Sequence, residues 1–314
     1  MTEPTAKGQS CDTLSPLNNG TGATQTDSTA GVPPNRLVLG RQTAHCHQYN
    51  PDQLCPIPRK AGREAAGVDA SVLRHGEDIW NLYELSWLSP SGRPVIAVAE
   101  VRVPWSSPCL IESKSLKLYT TSFNMTPFPD AETVCQTMRD DLSRAAGTDV
   151  AVRLREPDSF ASLAASEPKG LCLDNLPDPH PRHETNAPYV YQPDASLLRT
   201  DPESGSGVTQ ESVFSRLFRS RCPVTGQPDW ATICVSYTGK RLHRDSLLRY
   251  LISFREHQAF HEACVERIYM DILCQCQPAE LSVSARFTRR GGIDINPVRS
   301  TTCGNWDNTR DPRQ

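Results

Sequence analysis

The amino-acid sequence predicts an α+β protein made of two copies of one unit, an antiparallel sheet backed by two helices. Three observations lead there. Alternating apolar runs of strand length occur in both halves, across residues 80–103, 230–237 and 281–295. Each half also carries apolar residues at helical spacing: Val134, Met138 and Leu142 in one, and Leu247, Leu251, Phe254, Phe260, Cys264, Ile268 and Ile272 in the other. Between the halves, Pro157, Pro168, Pro177, Pro179, Pro181, Pro188, Pro193 and Pro202 precede Ser204-Gly205-Ser206-Gly207, the composition of a connector. The repeat lies in element order, because residue identity between the halves is weak.

Residues 1–38 are mostly Thr, Ser, Gly, Asn and Pro. Such a segment cannot bury enough apolar surface to offset its ordering entropy, so it reads as a disordered tail. Residues 39–200 are expected to form the N-terminal module with the connector, and 201–314 the C-terminal module. The chain from Leu37 to Asp69 reads as irregular, with apolar anchors that wrap the first unit. Trp80, Tyr83, Leu85 and Trp87 begin the ordered part as a strand, and Ser89-Pro90-Ser91-Gly92 turns it. Residues 95–103 return, apolar on both faces at the start and half exposed later. Ile111, Leu116, Leu118 and Tyr119 fit a short helix. Asp130 is the expected N-cap of a longer one that Gly147 ends, before a strand at 149–154. Short strand material is expected near Tyr189 to Tyr191. In the second half a strand at 230–237 leads through Tyr237-Thr238-Gly239-Lys240 to a long helical region, capped by Asp245 and reaching about Cys276. Leu281, Val283 and Ala285 alternate as a strand, and Arg289-Arg290-Gly291-Gly292 interrupts it before Ile293 and Ile295.

A net charge of -3 without a long Lys/Arg run disfavours direct nucleic-acid binding. No run approaches the apolar length of a membrane span, and no signal-peptide layout opens the chain, so a cytoplasmic address is expected. The 12 cysteines are irregularly spaced and include no C-x-x-C. Neither Cys274 with Cys276 nor His45-Cys46-His47 with Cys55 fits a tetrahedral zinc site, and no metal is expected.

The candidate nucleophile is Cys222, set between Arg221 and Pro223. Positive charge from Arg219 and Arg221 favours a thiolate, and Asp229, seven positions on, is placed to move a proton. Against this, one cysteine among many is more often a small buried hydrophobe. In Ile111-Glu112-Ser113-Lys114-Ser115-Leu116-Lys117, two lysines and serine hydroxyls at a helix N-terminus suit phosphate groups. The plain reading is a solvated, mixed-charge helix start. His261-Glu262 has Val265 where a zinc protease needs its second histidine. Pattern alone puts Glu262 opposite the apolar stripe, as a solvated glutamate. No G-x-G-x-x-G follows a strand, so a Rossmann cofactor site is not supported.

Four stretches in order carry a resemblance: Leu110 through Tyr119, Arg221-Cys222-Pro223 through Gln227-Pro228-Asp229-Trp230, Phe260-His261-Glu262-Ala263-Cys264-Val265-Glu266-Arg267-Ile268, and Arg289-Arg290-Gly291-Gly292-Ile293-Asp294-Ile295-Asn296-Pro297. Over residues 80–300 the chain resembles the long, two-module NADPH-dependent nitrile reductases that make 7-aminomethyl-7-deazaguanine from 7-cyano-7-deazaguanine in queuosine biosynthesis. The resemblance implies two tandem tunnelling-fold modules, assembling as a homodimer. It implies that Cys222 is the nucleophile, forming a covalent thioimide, and Asp229 the proton donor. It places Ile111, Glu112, Ser113, His261 and Glu262 against the substrate, and Ser113, Lys114, Arg290 and Gly291 against NADPH. The alternatives are a tunnelling-fold purine or pterin hydrolase, a cysteine-dependent nitrilase, or a non-catalytic purine binder.

Overall fold

The structure, a computed structural model, describes residues 48–177, 189–205 and 207–314. The tail expected at 1–38, His45-Cys46-His47, and the connector prolines Pro179, Pro181 and Pro188 lie outside the described residues. The first half runs β1 (Pro56–Pro58), α1 (Arg59–Ala66), β2 (His75–Leu88), β3 (Pro94–Pro104), β4 (Cys109–Ile111), α2 (Ser113–Ser122), α3 (Ala131–Ala146), β5 (Ala151–Arg155) and β6 (Leu171–Cys172). The second runs β7 (Thr209–Ser215), β8 (Arg219–Arg221), β9 (Pro228–Gly239), α4 (Arg244–Ser253), α5 (His261–Cys276), β10 (Glu280–Phe287) and β11 (Ile293–Ser300).

One nine-stranded sheet carries both halves in the order β5-β3-β2-β11-β10-β9-β7-β6, with β8 beside β9. Its pairings are antiparallel apart from β6 with β7. The strand β11 enters between β2 and β10, with Ile295 opposite Trp80, and so joins the halves. Strand residues alternate between faces. Trp80, Leu82, Ala99, Val101, Ile293 and Ile295 point into one core with Leu116, Tyr119, Val134, Met138 and Leu142 of α2 and α3. Ile233, Val235, Leu281, Val283 and Phe287 point into a second core with Leu247, Leu251, Ile268 and Ile272 of α4 and α5. The other face is polar, with Asn81, Glu100, Asp294 and Asn296 buried among hydrogen-bond partners.

Several expected elements form for the expected reasons. Asp130 caps α3 by accepting from Thr133 N at 2.7 Å, and Gly147, at φ 73°, ends it in the left-handed conformation that glycine adopts without strain. Four expectations are corrected. The tip of the β2–β3 hairpin, not its far end, is exposed, with Ile96 53% accessible. There β5 pairs with β3 only from Val98, so the start of β3 has no strand on its outer side, whereas Leu88 at the end of β2 exchanges backbone hydrogen bonds with Thr126 and Phe128. The long helical region is two helices, broken by a tight turn at Phe254–Glu256. His243, not Asp245, caps α4 by accepting from Ser246 N; Asp245 lies within the first turn and pairs with Arg249 at 2.9 Å. Tyr189 to Tyr191 form no strand.

The segment before Asp69 contains the helix α1, and it binds the second half. Arg63 makes two hydrogen bonds to Glu266 of α5, at 2.7 and 2.9 Å, and Arg267 donates to Ala66 O at 2.8 Å. Behind these, Arg299 bridges Asp78 at 2.8 Å and Glu266 at 2.8 Å, and Arg59 also pairs with Asp78. Arg59, Asp78, Glu266 and Arg299 are fully or almost fully buried. Glu266→Ala leaves Arg299 and Arg63 without their shared carboxylate. Its expected cost is about 3–5 kcal/mol of folding stability, as for removing one partner of a buried ion pair, read by denaturant titration.

Candidate active site

One cavity of about 260 Å³ lies where the two cores meet. Four separated stretches supply most of its walls, and each is placed by a local device. Cys222 begins a closed loop: its N–H donates to Gln227 O at 2.8 Å, and its carbonyl accepts from Gly226 N at 2.9 Å. The left-handed Gly226 allows that closure. The sulfur side chain is 6% exposed yet lines the cavity. Arg219 and Arg221 both pair with Glu256, at 3.5 and 2.7 Å, so their charge is balanced by a carboxylate.

Asp229, 5% exposed at the start of β9, receives Arg290 Nη2 at 2.9 Å and lies 3.4 Å from His261 Nε2. Arg290 also donates to Pro228 O and, at 3.3 Å, to Gln227 Oε1. It is held there by a two-residue turn. Arg290 and Ile293 exchange backbone hydrogen bonds, while Gly291 and Gly292 adopt φ 59° and 78°. Such a hairpin needs positive φ at both central residues, which explains the glycine pair. A Cβ on Gly292 would also meet Glu84 at 2.5 Å.

His261 and Glu262 open α5. The imidazole stacks on Phe287 at 3.8 Å, and its Nδ1 is buried without a hydrogen-bond partner. Glu262 is 4% exposed, not solvated as the sequence pattern suggests. Burial raises its carboxyl to about 7, with the charge of Asp78 adding and His261 and Arg59 opposing. The sequence could not show this, because the face of α5 opposite its apolar stripe is covered by β11 and α1.

From the other half come Ile111, Ser113, Lys114 and Lys117. Glu112 is not among the residues lining the cavity. Its carboxylate caps α2, accepting from Lys114 N at 3.0 Å and Ser115 N at 2.7 Å. Burial still pushes its carboxyl up against those hydrogen bonds. Ile57, Trp80, Thr288 and Ile295 are among the other wall residues and were not legible as site residues. Ile57 comes from β1, which pairs with β4 and brings the N-terminal segment against Leu110.

The residues suit a dinucleotide in one respect. Ser113, Lys114, Lys117 and Arg290 bring hydroxyl and cationic groups to a largely apolar cavity, as phosphate groups require, with Lys117 also paired to Glu84 and Arg290 to Asp229. The backbone N–H groups at the start of α2 are already taken by Glu112, so side chains rather than the helix terminus would hold the charge.

Comparison with known proteins decides the family. Residues 45–154 match the family described as "Nitrile reductase, 7-cyano-7-deazaguanine-reductase N-term", and residues 228–305 match "QueF-like protein". A protein of Desulfotalea psychrophila named NADPH-dependent 7-cyano-7-deazaguanine reductase is 47% identical over 91% of this chain and 98% of its own. The chain belongs to the 7-cyano-7-deazaguanine reductase family. Equally named relatives from Dechloromonas aromatica, at 49% identity over 90% of this chain and 96% of theirs, and Azoarcus sp., at 48% over 84% and 90%, agree. The two matched segments include Ser113, Lys114, Asp229, His261, Glu262 and Arg290, and Cys222 lies between them. Among the described residues no helix is long and apolar enough to cross a membrane.

Proposed function

We propose that the protein reduces the nitrile of 7-cyano-7-deazaguanine to the aminomethyl group with NADPH, in queuosine biosynthesis. The observation that carries this is the convergence of Cys222, Asp229, His261, Glu262, Lys114 and Arg290 on one cavity from stretches far apart in sequence. The two halves are read as tunnelling-fold modules, 39–200 and 201–314, in a cytoplasmic homodimer without direct contact to nucleic acid. The shared sheet and the repeated element order support the modular reading.

The chemistry follows from residue types. The Cys222 thiolate adds to the electrophilic nitrile carbon, and the nitrogen takes up a proton, giving a thioimide. NADPH, when bound, supplies hydride. After hydride addition to the C=N carbon, sulfur leaves as the thiolate and an imine remains, which takes a second hydride and proton to become the amine. In this reading Asp229 delivers protons to that nitrogen, and His261, whose Nε2 is 3.4 Å from the Asp229 carboxylate, reloads it. Arg290 orients the carboxylate through its contact at 2.9 Å and is itself anchored on Pro228 O and Gln227 Oε1. Glu262 accepts from the N–H donors of the deazaguanine edge, the pairing that a carboxylate makes with a base donor. The apolar walls keep water from the imine.

The test is stoichiometry: two NADPH oxidised per nitrile consumed. Ammonia release without NADPH loss would establish a nitrilase instead. In the same assay Asp229→Asn is expected to slow reduction about 10²-fold or more while thioimide still forms, as for loss of a general acid. A near-wild-type rate would move the proton-donor role elsewhere.

A further inference from the structure

Past β11 the chain runs back across the polar face of the sheet, where Asn308 Nδ2 donates to Asn81 Oδ1 at 2.8 Å and to Glu100 at 3.0 Å. It brings Gln314, a buried residue, behind the turn that carries Arg290. Gln314 does not line the catalytic cavity.

The two strands flanking that turn are laddered over part of their length. In β10 and β11, Ser282–Ser284 pair with Val298–Ser300, and among the described residues the next bridge is Arg290 with Ile293. Gln314 spans the interval. Its Nε2 donates to Phe287 O of β10 at 3.0 Å and to Asn296 Oδ1 of β11 at 2.7 Å. Its Oε1 accepts from Asp311 N at 2.9 Å, so both ends of the amide are engaged and its orientation is fixed.

The turn is also fastened at both ends. Arg289 and Arg310 each donate through Nη2 to Gln314 O at 3.0 Å, and both guanidinium groups lie over the Tyr83 ring, at 4.5 and 5.1 Å. Tyr83 N in turn donates to Gly292 O at 2.9 Å. What these contacts fasten faces the cavity: the Phe287 ring against His261 at 3.8 Å, Arg290 on Asp229 at 2.9 Å, and Gly291 in the wall. Glycine has the most backbone freedom to lose, so a Gly-Gly turn without such ties would have to be ordered at each binding event.

We propose that Gln314 is a positioning residue for NADPH binding, acting through Phe287 and Asn296 on the Arg290–Gly291 turn, on the reading that Arg290 and Gly291 contact the cofactor. The test compares wild type with Gln314→Ala and Gln314→Met, the second of which keeps side-chain volume without a donor. NADPH is titrated into each protein without nitrile, followed by nicotinamide fluorescence. Thioimide formation is followed separately, with nitrile and no NADPH. The Kd for NADPH is expected to rise about tenfold in both variants, the scale of one or two lost hydrogen bonds, and the KM for NADPH to rise with it. The rate and amplitude of thioimide formation are expected to match wild type, because the Cys222 loop closes on its own backbone. If Gln314→Ala fails to fold, Gln314→Met alone decides. A residue that only supports the fold gives a different pattern: a lower melting temperature and thioimide amplitude, with an unchanged Kd in the folded fraction. That pattern, or wild-type NADPH affinity in Gln314→Met, overturns the proposal. A wild type that binds no NADPH overturns the cofactor reading together with it, so the two failures are distinguishable.

Discussion

Cys222→Ala is expected to lower nitrile turnover by about 10⁴-fold or more, the scale of deleting a catalytic nucleophile. It is also expected to abolish the thioimide absorbance while deazaguanine binding survives. The structure makes this a clean experiment. The loop from Cys222 to Gln227 is held by backbone hydrogen bonds and by Arg221 Nε on Gly226 O at 3.1 Å, none of which involves the sulfur. The side chain borders the cavity rather than filling a packed core, so its loss does not open a void among apolar neighbours. Rapid mixing with substrate alone, without NADPH, follows the thioimide directly. If the alanine variant turned over at a substantial rate, the nitrile would be reduced without a covalent step and the role of Cys222 would fall.

Glu262 should control substrate affinity, and it should do so with a pH dependence. Its carboxyl, raised to about 7 by burial and then by Asp78, changes charge in the working range. The ionised form accepts from ring and amino N–H donors. As pH falls through about 7 it takes up a proton and loses acceptor capacity, so affinity weakens toward acid and is full above that value. Glu262→Gln keeps the shape but removes the charge. Expected results are a loss of about 2–3 kcal/mol in substrate binding, the scale of hydrogen bonds to a charged group, and a flat profile across neutral pH. Direct titration of substrate at several pH values checks both. A wild-type affinity that does not vary between about pH 6 and about pH 8 would remove Glu262 from substrate recognition.

Some of this arrangement is legible in the sequence because it is local. The alternation in 80–103 and 230–237, the Asp130 cap, the terminating Gly147 and the Gly291-Gly292 turn each depend on neighbours a few residues away. The break between α4 and α5 is less visible, because Leu251, Phe254, Phe260 and Cys264 keep a helical rhythm across it. The helix α1 is hidden for a different reason. Its eight residues include Gly62 and have no side-chain cap, and its stability comes from Arg59 and Arg63 reaching Asp78 and Glu266.

The site divides the same way. Motifs name Cys222, Asp229, Ser113, Lys114, His261, Glu262, Arg290 and Gly291, and the structure brings all of them to one cavity. Glu112 belongs to the same motif, but its carboxylate turns back to cap α2, a choice set by the unpaired N–H groups of Lys114 and Ser115. By itself the sequence determined the α+β class, most elements, and the motifs of the 7-cyano-7-deazaguanine reductase family. Only the tertiary structure decided that β11 joins the halves, that Arg290 sits on Asp229, and that Glu262 is buried beside Asp78 and Arg59. Local patterns record backbone preference over a few residues, whereas these pairings depend on which distant surfaces the folded sheet presses together.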